Sequence, residues 1–313
     1  MKNKPLKIFA LVICIYFIPQ CGLLPQENRN DELIYQSINY LAELQAMYFQ
    51  NWVNGYISTL NTLANIMSYY ENIPINERRE RFDSILQAII MAEPNIINLF
   101  TVWKPNALDG MDAQFIGRTG STPTGQYAAA FDRTGGNIIF TTSSFVNDSM
   151  QHMTSPDSRR DNVDDPLPIT LNGRNTLSIR IMVPVINPRT SEVIAIAGCL
   201  LDLSAIQNSF ENILRNRAEI AAINLYSGNS TIIGSLIPSQ IGMKLSSGHN
   251  FFGEHIQNAE QAVLKGMNFY CKAYSAILAV NLEIFMIPFL IGNSNATWTV
   301  MIAVSENYFR RQR

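Results

Sequence analysis

The chain has 313 residues, 47% of them hydrophobic and 15% charged, with 23 Lys+Arg against 25 Asp+Glu. That length is enough for about two modules with cores of their own. The net charge of −2 argues against a nucleic-acid binder held by phosphate contacts. Four cysteines (Cys14, Cys21, Cys199, Cys271) are too few for a disulfide scaffold and match no zinc spacing.

The first 25 residues differ from the rest. Lys2, Lys4 and Lys7 precede an apolar run from Ile8 to Ile18, and no acidic residue appears before Glu27. A basic start followed by an apolar core marks an export signal or a membrane anchor. The positive-inside tendency places the lysines in the cytoplasm and everything after Gln26 outside. The uncleaved anchor is the preferred reading. A cleaved signal lacks small residues at a cut site, and lipidation at Cys21 has Pro19 and Gln20 where small residues are usual.

From Asp31 to about Tyr70 there is no proline. Apolar residues recur at helical spacing: Ile34, Ile38, Leu41, Tyr48, Trp52, Tyr56, Leu60, Leu63 and Met67. The flanks are Asn, Gln, Ser and Thr, which favours packing along the chain's own modules over a free coiled coil. The same helix is where a homodimer would form. Asn76 is the expected cap of a second helix carrying Phe82, Ile85, Leu86, Ile89 and Ile90, and this helix ends before Pro94.

The period then changes. Ile97–Trp103, Tyr127–Asp132 and Asn137–Thr141 read as strands, the last two joined by a glycine-rich turn. Leu177–Ile186 and Val193–Leu203 form a second hairpin through Asn187-Pro188-Arg189-Thr190-Ser191. A helix capped by Ser204 follows, to Arg215. A smaller version of the same order recurs: a hairpin around Ser227-Gly228-Asn229, a helix near Gln257–Lys265, and strands at Asn268–Val280, Leu282–Ile291 and Trp298–Ser305. Ile277–Ile291 is apolar enough to suggest a membrane span, but Asn281, Glu283 and Pro288 favour buried strand.

This order resembles the double Cache sensor module of bacterial methyl-accepting chemotaxis proteins, particularly the spirochaete type. Three stretches carry the resemblance: Thr101–Asp112 continuing through Gly117–Tyr127, Ile181–Arg189 through Gly198–Asp202, and Gly292–Trp298. The implied fold class is α+β: a membrane anchor (1–25), a long helix and second helix (26–92), then two stacked PAS-like Cache modules with antiparallel sheets. The membrane-distal module spans 93–216, the membrane-proximal one 217–309, and 310–313 is a tail. The implied function is extracytoplasmic small-ligand sensing for chemotaxis, from the periplasmic side of the inner membrane. The sequence ends about fifteen residues past Trp298, too short for another span, so a sensor without its signalling half is expected. The alternatives are a tethered binding protein without output and the sensor half of a histidine kinase or cyclase.

The expected ligand residues are Trp103, Asp112, Arg118, Tyr127 and Asp202. Asp112 and Arg118 lie in a polar loop, Leu108–Gln126, where binding residues concentrate. They can hold ionic groups of a ligand or pair with each other. Trp103 and Tyr127 supply apolar walls. Asp202 is carried over from the family, where an aspartate at this strand end contacts the ligand amine; its other reading is a capping carboxylate. The Arg-x-Trp-Tyr pattern of amino-acid-binding relatives is reduced here to Tyr127, and Leu167-Pro168-Ile169-Thr170 replaces a paired Tyr and Asp. The ligand class is therefore open. No nucleophile elbow or phosphate loop occurs, and His152, His249 and His255 show no ligand spacing. No enzyme activity, cofactor, metal or nucleic-acid partner is expected.

Overall fold

A computed structural model describes residues 26–134, 136–171, 174–248 and 251–306. The expected anchor (1–25) and tail (310–313), and His249, lie outside the described residues. The chain divides into two compact units, 1–37 and 38–313. Among the described residues no helix is long and apolar enough to cross a membrane.

Helix α1 (Gln26–Ser68) runs for 43 residues without a proline. Its buried seam passes through Leu41, Ala42, Ala46, Phe49, Val53, Ile57, Leu60 and Ala64, the spacing of a 3.6-residue turn. Tyr48 and Trp52, expected on that seam, sit one position off it. Tyr48 is exposed, with its hydroxyl at 3.2 Å from Ser209 Oγ. Phe49 and Val53 take the inward positions instead.

A tight turn at Tyr70–Asn72 ends α1, and the chain leaves it extended at Ile73 before Pro74. Helix α2 (Arg78–Ala92) then starts two residues past the expected cap. Asn76 lies in a turn closed by Glu77 N–H donating to the Pro74 carbonyl, and Glu77 occupies the N-cap position. Arg79, Phe82, Leu86 and Ile90 form the buried face of α2.

The first sheet contains β1 (Ile96–Trp103), β2 (Ala129–Thr134), β3 (Asn137–Thr142), β4 (Asn162–Val163), β5 (Leu167–Leu171), β6 (Arg174–Ile186) and β7 (Val193–Asp202). The order is β3-β2-β1-β7-β6-β4, with β5 also on β6, and every pairing is antiparallel. Strand β1 is buried at all eight positions because both faces are covered. Thr101 and Trp103 face α1 and α2, touching Met67 and Phe82. Phe100 and Val102 face helix α3 (Val146–Thr154), which packs through Met153, Val146 and Met150. This helix had no counterpart in the sequence reading.

Helix α4 (Ser204–Asn216) links to the second sheet, which holds β8 (Ile220–Tyr226), β9 (Ile232–Ser235), β10 (Phe269–Ser275), β11 (Val280–Leu290) and β12 (Thr297–Ser305), with helix α5 (Ile256–Lys265) between β9 and β10. The order is β10-β11-β12-β8-β9. Leu203, not Ser204, is at the N-cap of α4. Ile277–Ile291 is hairpin tip and strand rather than membrane helix, since β11 pairs along its length with β10 and β12. One face of this sheet is closed by Leu245, Phe251, Phe252, Ala259 and Val263 against Met286, Met301 and Ala303.

Candidate functional site

The loop Leu108–Gln126 is organised from α2. The Arg79 guanidinium holds both oxygens of Asp109 (2.7 and 3.1 Å), Asp112 Oδ1 (2.8 Å), Ser121 Oγ (3.0 Å) and the Gly125 carbonyl (2.9 Å). Those five bonds use all five guanidinium N–H groups. Phe115 lies over the same cation at 3.8 Å. Burial pushes the Asp109 carboxyl up, but hydrogen bonds from Arg79 and the Met111 N–H outweigh it and hold the pKa below the ordinary value.

Asp112 therefore does not pair with Arg118. One oxygen meets Arg79 and the other accepts the Asn106 N–H at 2.7 Å, while Arg118 is exposed and stacks on Phe115 at 5.1 Å. The cation that braces Asp112 is Arg79, 33 residues upstream. Tyr127 donates to Asp83 Oδ1 at 2.7 Å. Burial raises the Asp83 carboxyl to about 6, with the Tyr127 hydrogen bond and the Arg79 charge opposing it only in part. Trp103 is fully buried, stacked on Phe82 and edge-on to Tyr70. Trp103, Asp112 and Tyr127 thus meet beneath α2, and Arg118 stands outside. Asp202 is elsewhere: its oxygens accept the Ser204 N–H and hydroxyl, each at 2.9 Å.

None of these five residues lines a cleft of about 870 Å3 between the two sheets. The first sheet's side of it comes from Asp148 and His152 on α3, the segment Ser155–Asp165, and Arg180 and Met182 on β6. The other wall comes from the β8–β9 turn (Gly228, Asn229), the end of α5 (Val263–Gly266) and the β11–β12 turn (Ser294–Trp298). Arg180 is clamped between Asp148 at 2.5 Å and Asp164 at 2.6 Å and lies over Phe145 at 4.9 Å. Asn162 Nδ2 donates to the remaining oxygen of Asp164 at 2.6 Å. His152 Nε2 donates to the Arg160 carbonyl at 3.1 Å, which places its proton on Nε2.

Two bonds cross from one wall to the other. Buried Asp161 accepts the Asn293 N–H at 2.9 Å, and Arg160 Nη1 donates to Asn295 Oδ1 at 2.6 Å. The turn that meets them needs Gly292, whose φ is +54°; a Cβ there would lie 2.8 Å from Ile57 Cδ1 and 2.9 Å from Asp161 Oδ2. A cleft of several hundred Å3 with a few fixed polar groups suits a small organic ligand. Among the described residues no group of three His, Cys, Asp or Glu is placed to hold a metal ion.

The sequence reading missed this wall, although a signal was present. Residues 157–165 read Asp-Ser-Arg-Arg-Asp-Asn-Val-Asp-Asp, six charges in nine positions of a chain only 15% charged. That density, unlike the loop at 108–126, lies where two sheets meet.

No protein-family model matches the sequence, and no curated protein matches it. Solved structures do. The extracellular domain assigned to a histidine kinase, mmHK1S-Z3, superposes with a TM-score of 0.70 at 17% identity, covering 90% of this chain and 97% of that one. The chain has the fold of a double Cache extracytoplasmic sensor region. The two sheets stand on either side of the cleft. The periplasmic sensory domain of the Campylobacter jejuni chemoreceptor Tlp1 is similar too: TM-score 0.63, 13% identity, 91% of this chain and 99% of that one. So is the ligand-binding domain of the Pseudomonas fluorescens chemoreceptor CtaA, solved with L-isoleucine: TM-score 0.57, 12% identity, 92% and 99%. At such identities the likeness speaks to the Cache fold, not to a shared ligand.

Proposed function

We propose that this protein is the small-ligand sensor of a chemotaxis receptor and that the cleft between its two Cache modules is the ligand site. The observation that carries the reading is the cleft itself: it is walled by both modules, and Arg180 in it is held in place by Asp148 and Asp164. A ligand seated there touches both sheets, so its arrival changes the free energy of their mutual placement. The Lys-rich start and apolar run of residues 1–25 support tethering to the inner membrane with both modules in the periplasm. Tyr40 and Met47, exposed and seven residues apart on α1, support a homodimer along that helix. The role is binding, without catalysis.

The test is a thermal-shift screen of small metabolites, followed by calorimetry on each hit with the wild type and Arg180→Met. A ligand that binds the folded state raises its melting temperature. Hits whose affinity drops at least tenfold in the variant support the cleft; hits indifferent to it place the site elsewhere. A second reading, the sensor half of a histidine kinase, is supported by the similarity to the kinase extracellular domain. The same cleft serves either output.

A further inference from the structure

The charges on the cleft walls do not balance. Asp148, Asp157, Asp161, Asp164 and Asp165 face the cations Arg160, Arg180 and Lys265. Arg180 meets both Asp148 and Asp164, so that group keeps one negative charge in excess, and an anion approaching Arg180 finds two carboxylates already there. Arg160 and Lys265 are exposed, where water and salt screen them, as they screen Asp157 and Asp165. Arg160 is moreover drawn to Asp157 at 3.8 Å and to Asn295 at 2.6 Å, away from its sequence neighbour Asp161.

Asp161 is the exception among these groups. It lines the cleft and is 7% exposed. Its Oδ2 accepts the Asn293 N–H at 2.9 Å, whereas Oδ1 has no hydrogen-bond partner among the described residues, and neither oxygen has a cation within ion-pair distance among them. Buried carboxylates are ordinarily paired with a cation and hydrogen-bonded. A ligand ammonium or guanidinium supplies the charge and the N–H donor together. A ligand hydroxyl supplies only the donor, and a ligand carboxylate adds repulsion. A metal ion fits less well, since it needs several ligands and no three His, Cys, Asp or Glu converge among the described residues.

We propose that the cleft takes a small organic cation, with its ammonium or guanidinium group on Asp161 Oδ1. This rests on the reading of the cleft as the ligand site and adds the charge of the ligand. The test is calorimetry on the full chain with four probes: diaminobutane and agmatine as cations, butanediol and succinate as neutral and anionic counterparts of similar length. Magnesium chloride is the metal control. Both amines should bind at least tenfold more tightly than butanediol or succinate, and their affinity should fall as sodium chloride is raised. Asp161→Asn removes the charge and keeps an acceptor for the Asn293 N–H; amine affinity should fall at least tenfold with little change in the melting temperature of the free protein. Ala296→Trp fills the cleft without altering its charge and should abolish binding. Absence of amine binding to the wild type, or wild-type amine affinity in Asp161→Asn, overturns the proposal. So does magnesium binding that is lost in Asp161→Asn and competes with the amines. Butanediol or succinate binding as tightly as the amines, and lost in Ala296→Trp, overturns the cation and leaves the cleft as the ligand site. Amine binding indifferent to Ala296→Trp removes the cleft itself. Because the comparison of amines with their counterparts and the salt series use the unaltered chain, the result stands even where a variant fails to fold.

Discussion

Asp161, on the first sheet's side of the cleft, accepts the backbone N–H of Asn293 in the β11–β12 turn at 2.9 Å, and with 7% exposure it is among the few buried carboxylates of the described residues. The bond ties the floor of the cleft to the turn that forms its far wall. Asp161→Ala leaves the Asn293 N–H without its acceptor and should cost about 1–3 kcal/mol. Urea unfolding gives that number. The same variant should lower the affinity of any cleft ligand, and unchanged affinity would separate the clamp from the ligand site.

Arg79 is a structural cation. Replacing it by Leu strands Asp109 and Asp112 in the interior without a counter-charge, a situation that costs roughly 3–5 kcal/mol. Adding Asp109→Asn and Asp112→Asn should return part of that loss, because neutral amides are less costly to bury than carboxylates. Denaturation midpoints of the single and triple variants measure both effects. A loss below 1 kcal/mol in Arg79→Leu would contradict the role.

Asp83 makes stability depend on pH. Its folded pKa, raised to about 6, lies above the unfolded value near 4. The protonated form is therefore favoured by folding: this contribution is fully present below about pH 4 and is lost as pH rises through about 6. The span is about 2–3 kcal/mol. Asp109, held low, acts in the opposite sense in more acid solution. Asp83→Asn should raise the melting temperature at pH 7.5 and flatten its rise between about pH 7 and 5. A wild-type-like pH profile in the variant would exclude Asp83 as the source.

Asp202 is expected to act on stability rather than affinity. Both its oxygens are engaged with Ser204 at the start of α4, so Asp202→Ala should cost about 0.5–2 kcal/mol, as loss of a helix-start acceptor does. Calorimetry with a cleft ligand should show wild-type affinity. A tenfold loss there would return Asp202 to the site.

The burial of Trp103, Asp112 and Tyr127 has one cause. Trp103, Asp112 and Tyr127 were singled out because they are chemically capable residues on a polar loop or a strand edge. Capability is a local property, while accessibility depends on what packs above. Here α2 lays Arg79 and Phe82 over that loop, and the polar groups are consumed internally. Nothing near residue 112 announces that its partner is residue 79.

What the sequence determined by itself is the material governed by short-range periodicity. The proline-free 3.6-residue repeat of α1, the two-residue alternation and turn chemistry of the hairpins, and the Gly292–Asn295 corner all act within one element or between adjacent ones. They were sufficient to specify a long helix followed by antiparallel hairpins. The tertiary structure alone decided which charges stay available. Arg180 lies 32 residues from Asp148 and Arg160 lies 135 from Asn295; the first pair forms only when α3 packs on the first sheet, the second only when the two sheets are set side by side. Ion pairing depends on distance in space and on the water excluded around it, and neither is written in the spacing of residues along the chain.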